Sequence, residues 1–297
     1  MKSMPRAGVV DSTMATVLLT VVVWGSAFAA VRVGLTGYSP ESLALLRFLT
    51  ASLVLAGYAV VKRMQMPRFC DLPGLAGLGF VGLTASNLLV NAGEQSTPAG
   101  SASLIVASAP IFTLVLARLF LKERVPRSAW LGVGACFAGV VLICLKPGTG
   151  LQLAPGSLLL LLGAATSAVY SVGQKVFLSR YSPMQVATFA FWFGTLFLLI
   201  FAPDLLHQMS QARLPATWAA LYLGVVPGAL GYLGWGLIFS RMPASRAGSF
   251  LFLVPLSAIL IAWLLLGEQP GFQSLIGGAL VLLGTVLIQP DFPEHCS

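Results

Sequence analysis

The sequence has few charged residues. Asp, Glu, Lys and Arg make up only 9% of its 297 residues, whereas 57% are hydrophobic and the mean hydropathy is +0.90. Soluble domains carry about 25% charged residues, so this chain has too little polar surface to face water on all sides. Its high hydrophobicity also excludes an intrinsically disordered chain. The composition therefore indicates a membrane protein.

Residues that build catalytic and metal sites are also scarce. The chain has two His and four Cys, with no paired-cysteine framework and no spacing typical of a metal site. It contains no G-x-x-x-x-G-K-[ST] phosphate-binding loop, which disfavours direct coupling to ATP. We therefore expect neither an enzyme nor a bound metal or cofactor.

Ten apolar runs are long enough to be transmembrane helices, which need about 20 residues each. Proline-containing turns such as Tyr38-Ser39-Pro40 and Tyr181-Ser182-Pro183 separate the runs. The sequence predicts an all-α polytopic membrane protein with the helices Thr13–Val33, Leu43–Val61, Leu72–Ala92, Ala99–Leu121, Ala129–Leu145, Gly156–Phe177, Met184–Phe201, Thr217–Phe239, Ala247–Leu266 and Phe272–Ile288.

The distribution of Lys and Arg predicts the orientation of these helices. With the N-terminus inside, inside segments hold twelve Lys or Arg and outside segments hold three. We expect cytoplasmic termini, a retained first helix and a plasma (bacterial inner) membrane location. This bias explains most of the net charge of +8, so no nucleic-acid partner is expected.

The two halves of the chain, 1–150 and 151–297, repeat each other. At a shift of 145, residues 98–143 show 13 identities in 46 positions, including Pro110 with Pro255 and Glu123 with Glu268. Each half has five helices, and because five is odd the second half enters the membrane from the opposite side. Inverted repeats hold substrate near the midplane and alternate its access, which favours a carrier over a channel.

Several motifs in these helices resemble one known family. They are Trp24-Gly25-Ser26-Ala27-Phe28, Leu46-Arg47-Phe48, Pro110 through Leu121-Lys122-Glu123-Arg124, and Pro255 through Gly267-Glu268. In order and spacing they resemble the EamA family of the drug/metabolite transporter (DMT) superfamily, from about residue 15 to 290, and within it the YddG-type amino-acid exporters. The resemblance implies a ten-helix secondary transporter that exports amino acids or related small molecules, and a monomer is the expected state. A channel-like facilitator and a proton-coupled carrier of drugs, nucleotide sugars or other metabolites stay as alternatives.

Polar residues at helical spacing mark a candidate substrate site. Asn87 and Asn91 lie on one face of helix 3, and Tyr232 and Trp235 occupy the corresponding stretch of helix 8. We predict a midplane cavity with the two amides on one wall and the two rings opposite. Helix packing is the alternative for each, because Asn often joins helices and aromatic stripes often face lipid.

Further candidates come from other helices. Ser167, Tyr170 and Gln174 share a face of helix 6, and Trp24 lies in the middle of helix 1. The aromatic residues of helix 7, which include Phe189, Phe191 and Phe197, point to all sides and are predicted to face lipid.

Two charged residues lie inside predicted helices. Arg47 needs a partner, water or a route to the headgroups, and Glu94 is the carboxylate at a similar depth. Carboxylates are missing from the central third of every predicted helix. We therefore expect uncoupled efflux or exchange, with proton coupling through Glu94 as the alternative.

Overall fold

The computed structural model describes residues 7–120, 127–145, 156–241 and 250–288, and these residues form a bundle of helices. Each of the ten predicted runs coincides with a helix, which confirms the all-α polytopic fold. The helices are α1 (Ala7–Gly34), α2 (Pro40–Val61), α3 (Phe69–Glu94), α4 (Ala99–Phe120), α5 (Arg127–Cys144), α6 (Ser157–Phe177), α7 (Pro183–Gln211), α8 (Leu214–Leu223, continuing to Gly231–Arg241), α9 (Leu253–Leu266) and α10 (Phe272–Ile288). The motif residues Lys122, Glu123 and Arg124 lie outside the described residues.

Seven of the described helices are long and apolar enough to cross a membrane: α1, α2, α3, α4, α6, α7 and α8. Helices α5, α9 and α10 are apolar as well but shorter. The protein is thus a multi-pass membrane protein.

Equivalent serines cap the second helix of each half. The Ser39 hydroxyl accepts a hydrogen bond from the main-chain N–H of Ser42, and the Ser182 hydroxyl accepts one from that of Gln185, both at 3.2 Å. A proline follows each serine at the first helical position, where its missing N–H costs nothing. The repeated Ser-Pro pairs therefore fix the same helix start in both halves.

The contacts between helices have an approximate two-fold symmetry. Helix α1 packs on α8 and α9 as α6 packs on α3 and α4, and α2 packs on α8 as α7 packs on α3. Helices α2 and α7, α4 and α9, and α5 and α10 each pack on their own counterparts. Exchanging the halves reproduces this set of contacts, as expected for an inverted repeat.

Glycines matched by the repeat let α5 and α10 approach closely. A Cβ added at Gly277 would lie 2.7 Å from the carbonyl oxygen of Gly139, and one added at Gly284 would lie 2.5 Å from that of Gly132. Side chains at these positions would push the helix backbones apart. The repeated glycines thus set the distance between the two halves at this pair of helices.

Helices α3 and α8 each contain a π-helical segment, at Leu78–Ala85 and Gly224–Leu230. A shift of 145 residues superposes the two segments almost completely. Such wide turns release main-chain carbonyls from the regular helical ladder and are frequent at functional sites. They direct attention to the side chains beside them.

The prediction that the aromatic residues of α7 face lipid is wrong for two of them. Phe189 and Phe191 are only 3% and 2% exposed, whereas Phe197 is 41% exposed. Helix α7 packs on both α2 and α3, so Phe189 and Phe191 fill the interior of the bundle. The Phe191 ring lies 5.1 Å from that of Phe48 on α2, between centroids.

Candidate functional site

Aromatic rings from α1, α7 and α8 form one cluster beside the π segment of α8. The centroid of Trp24 lies 5.9 Å from that of Tyr232 and 5.2 Å from that of Trp235. Phe191 meets Tyr232 edge-on at 5.2 Å. Three predicted site residues, Trp24, Tyr232 and Trp235, are thus brought together. Such rings provide an apolar surface with a preferred geometry for other flat or apolar groups.

The π segment holds the indole of Trp24 in place. Its Nε1 donates a hydrogen bond of 3.2 Å to the carbonyl oxygen of Pro227, which lies within the segment. Gly231 leaves room for the ring, because a Cβ there would lie 2.5 Å from Nε1. Two residues further along α1, the hydroxyl of Ser26 lies 2.6 Å from that of Tyr222. The position of Trp24 therefore depends on the irregular backbone of α8.

The two predicted amides on α3 have different surroundings. Asn91 is 1% exposed, and its Nδ2 donates to the carbonyl oxygen of Pro40 at 3.1 Å, while its Oδ1 has no partner. Asn87 is half-buried and donates to the carbonyl oxygen of Leu83 in its own helix at 2.9 Å. Asn91 thus joins α3 to the start of α2, and Asn87 satisfies a carbonyl of the π segment.

Charged side chains of alternating sign form a row that ends at the aromatic cluster. Arg32 Nε lies 3.2 Å from Glu268 Oε1, and Arg32 also interacts electrostatically with Glu94. Glu94 interacts with Arg47, and Arg47 lies near the phenol of Tyr232. We call the four charged residues Glu268, Arg32, Glu94 and Arg47, in that order, together with the neutral Tyr232 at the inner end, the charge row. It connects α9, α1, α3, α2 and α8.

Burial leaves polar atoms of this row without partners. The Nε of Arg47 and both carboxylate oxygens of Glu94 are buried and have no hydrogen-bond partner. Among the described residues, no ion pair joins Arg47 to Glu94 within 4 Å. Buried polar groups normally find partners, so these atoms are suited to meet a ligand or water.

Tyr170 lies next to the inner end of the row, and two other predicted residues do not reach it. Tyr170 is 8% exposed, packs against Gly82 and lies near Tyr232. Ser167 donates to the carbonyl oxygen of Ala164 in its own helix, at 2.8 Å. Gln174 is half-buried on α6. Within the described part of the chain, neither Ser167 nor Gln174 forms a hydrogen bond with a residue of the aromatic cluster.

Two cavities meet at Glu268. One, of about 220 Å³, lies between the ends of α3, α4, α9 and α10 and includes Ser101, Gln273 and Ser274. The other, of about 500 Å³, is more open and includes Arg32 and Gln95. Glu268 borders both, and neither contains any of the eight predicted substrate-binding residues. These cavities lie at the end of the bundle that the charge bias predicts to be outside.

Sequence reasoning missed the contribution of Arg32 and Glu268. The Arg32 guanidinium also donates to the main-chain oxygens of Glu94, at 2.7 Å, and Gln95, at 3.4 Å. The second oxygen of Glu268 accepts from the main-chain N–H of Ala99 at 2.8 Å. The pair therefore connects the ends of α1, α3, α4 and α9. The available signal was that each residue has a counterpart of equal charge in the repeat, Lys175 for Arg32 and Glu123 for Glu268.

Comparison with protein families gives a match over nearly the whole chain. The EamA-like transporter family matches twice, over residues 12–145 and 154–289. One solved crystal structure superposes with a TM-score of 0.65 at 19% identity, covering 93% of this chain and 97% of the other, so the two share a fold.

Curated relatives are described as transporters. A probable terminal-alkyne amino-acid exporter from Streptantibioticus cattleyicolor is 39% identical over 271 residues, covering 91% of each chain. The transporter YdfC from Bacillus subtilis is 38% identical over 266 residues, 90% of this chain and 87% of the relative. The inner membrane transporter YedA from Escherichia coli K12 is 25% identical over 274 residues, 90% and 87% of the two chains.

Proposed function

Since this chain belongs to the EamA-like transporter family, we propose that it exports amino acids, in particular aromatic or other amphipathic ones, by alternating access around a central site. The buried Nε of Arg47, without a partner and next to the aromatic cluster, carries this proposal. A cation beside apolar rings matches the carboxylate and the side chain of an amphipathic amino acid. The amino-acid exporter among the relatives supports the same substrate class.

Each part of the amino acid has a complementary group. Arg47 would bind the carboxylate, because a guanidinium donates two parallel hydrogen bonds to that group. Trp24, Tyr232 and Trp235 would cover the side chain. The free Oδ1 of Asn91 would accept a hydrogen bond from the ammonium group, and Asn87 and Tyr170 would line the remaining wall.

The architecture supports a carrier rather than an enzyme or an open pore. The helices of the two halves pack in symmetry-related pairs, so rocking one half against the other would expose the site to either side in turn. We further propose that the halves correspond to residues 1–150 and 151–297. Both termini would be cytoplasmic, and the membrane would be the bacterial inner membrane.

Counterflow in proteoliposomes tests the substrate class. Vesicles loaded with one unlabelled compound should accumulate the same labelled compound if the protein exchanges it. We expect accumulation of aromatic and large apolar amino acids, and none of nucleosides or sugars. Accumulation of nucleosides or sugars alone would refute amino-acid export.

Variants test whether Arg47 binds the carboxylate. Arg47→Gln should raise the half-saturating amino-acid concentration about tenfold or more, because a charge-assisted bidentate contact is lost. Arg213→Gln, at an exposed arginine, is the matched control and should leave it unchanged. The corresponding amine without a carboxylate should bind equally to wild type and Arg47→Gln. An equal loss for amine and amino acid would show that Arg47 supports the fold instead.

A further inference from the structure

Glu94 is an unusual carboxylate for the interior of a membrane protein. Its side chain is 0% exposed, and neither oxygen accepts a hydrogen bond from the described residues. It is also the last residue of α3, where the helix dipole is negative and disfavours an anion. An isolated buried charge is costly, so Glu94 needs either a proton or a cation at its oxygens.

The charged groups around Glu94 do not supply that cation directly. Arg32 from α1, Arg47 from α2 and Glu268 from the end of α9 act on it electrostatically. The Arg32 guanidinium is engaged by Glu268 and by main-chain oxygens, including that of Glu94 itself. The Arg47 guanidinium forms no ion pair with Glu94 within 4 Å among the described residues.

The other helices around this end of α3 add no further charge near Glu94. Helices α4 and α6 also pack on the Ser86–Glu94 part of α3. Their charged residues in the described part of the chain, Arg118 and Lys175, lie near the far ends of those helices. The two carboxylate oxygens thus remain open for a ligand.

Glu268 provides a contrast within the same row. One of its oxygens is paired with Arg32 and the other with the N–H of Ala99, and its side chain is 20% exposed. This carboxylate is stable as an anion without a further ligand. The two acids of the row therefore differ in function: Glu268 holds helix ends together, and Glu94 is available.

We propose that Glu94 carries a proton when the central site is empty and exchanges it for the ammonium group of the substrate, one proton for each amino acid. This inference rests on the proposed function, because it assigns the ammonium group of that substrate to Glu94. When the amino acid binds, the O–H bond of Glu94 breaks, its proton goes to water, and the carboxylate pairs with the ammonium. When the amino acid leaves on the other side, water there returns a proton to Glu94.

The exchange links export to the proton gradient. Every ammonium that leaves by the predicted outer end is replaced by a proton taken up at that end and later released at the other. The amino acid is a neutral zwitterion, so one positive charge enters for each molecule exported. The proposal thus favours the alternative of proton coupling through Glu94 over the expected uncoupled efflux.

The position of Arg32 explains how Glu94 is shielded from the predicted outer side. Arg32 and Glu268 both border the open 500 Å³ cavity, whereas Glu94 is buried behind them. Separation of Arg32 from Glu268 would let water from this cavity reach Glu94. The described state is therefore closed toward that side.

Proton release on substrate binding tests the proposal. Purified protein in weakly buffered detergent solution is mixed with an amino acid that shows counterflow, and a pH-sensitive dye reports the protons released. Isothermal titration in the same solution gives the amount bound. The ammonium group keeps its own protons at neutral pH, so the released protons come from the protein. We expect about one proton per bound amino acid in wild type.

Two matched variants assign the proton to Glu94. Glu94→Gln should release no proton on binding, and Asp204→Asn, at an exposed carboxylate outside the charge row, should still release about one. Binding by wild type without proton release would overturn the exchange while leaving amino-acid export intact. Absence of binding by wild type would instead refute the proposed function and, with it, this inference. If Glu94→Gln cannot be purified in folded form, the absence of proton release from wild type still overturns the proposal.

Discussion

The guanidinium of Arg32, at the end of α1, lies 3.2 Å from the carboxylate of Glu268, which is 236 residues away just beyond α9. Both side chains are partly exposed, at 33% and 20%. The pair joins the first half of the chain to the second at one end of the bundle. Its direct contribution to stability is therefore expected to be small, since solvent screens exposed ion pairs.

A double-mutant cycle measures this coupling. Arg32→Gln and Glu268→Gln should each lower the apparent melting temperature of the purified protein. The double variant should lose less free energy of unfolding than the two single variants lose together, by about 0.5–1 kcal/mol. Thermal unfolding in detergent, followed by size-exclusion chromatography, gives the three values. Strict additivity would mean that the two side chains do not interact in solution.

The glycine contact between α5 and α10 gives a second prediction. Gly139→Val should strongly reduce the yield of folded protein, because the new side chain meets the backbone of Gly277. Gly134→Val, in the same helix, is the matched control, since a Cβ there meets nothing within 4 Å. The measurement is the monodisperse fraction after extraction. Equal yields for both variants would contradict the close approach of the two helices.

Sequence alone predicts most of this fold. Apolar runs of membrane length, repeated Ser-Pro starts and matched glycines are local signals, and each depends only on neighbouring residues. The ten helices follow from them. The burial of Phe189 and Phe191 could not be predicted in this way, because a helix with aromatic residues on all sides gives no preferred face. The helices that pack on α7 determine which of its aromatic side chains are buried.

The candidate site was predictable only in part. Tyr232 and Trp235 were predicted together as one wall of the site and Trp24 separately, and the structure shows Trp24 in contact with both rings. The charge row could not be predicted, because its members come from five helices and meet only through packing of the two halves. Arg47 and Glu94 were identified as candidates for an ion pair, yet no direct pair forms between them in the described structure.

The two asparagines of α3 should respond differently to substitution. Asn91→Ala should lower the apparent melting temperature, because it removes the buried hydrogen bond that joins α3 to the start of α2, at a cost of about 0.5–1.5 kcal/mol. Asn87→Ala should change it less, because Asn87 is half-buried and bonds only within its own helix. The same unfolding assay compares the two variants. A larger loss for Asn87→Ala would contradict this assignment.

The predicted orientation can be tested by reporter fusions. A reporter placed after Arg63 should be cytoplasmic, and one placed after Ser96 should be outside, because the excess of Lys and Arg keeps the first of these loops inside. A reporter at the C-terminus should also be cytoplasmic. An outside C-terminus would contradict both the ten-helix topology and the inversion of the second half.

The fit between Trp24 and Gly231 links the aromatic cluster to substrate affinity. Gly231→Ala places a methyl group where it meets Nε1 of the indole, so the ring must move and lose its hydrogen bond to Pro227. We expect the half-saturating amino-acid concentration to rise about 5- to 10-fold, equivalent to about 1–1.4 kcal/mol. Counterflow at a series of substrate concentrations gives this value, and Gly57→Ala is the control, since a Cβ there meets nothing within 4 Å.

The same Gly231→Ala change in a Trp24→Phe background distinguishes displacement of the indole from misfolding of the protein. Trp24→Phe removes the atom that Gly231→Ala would strike, so the added methyl group should cost less in a Trp24→Phe background than in wild type. The added methyl group should therefore raise the half-saturating concentration less than twofold in that background. If it raises the concentration as much as in wild type, the methyl group acts through the helix backbone and Trp24 does not determine affinity.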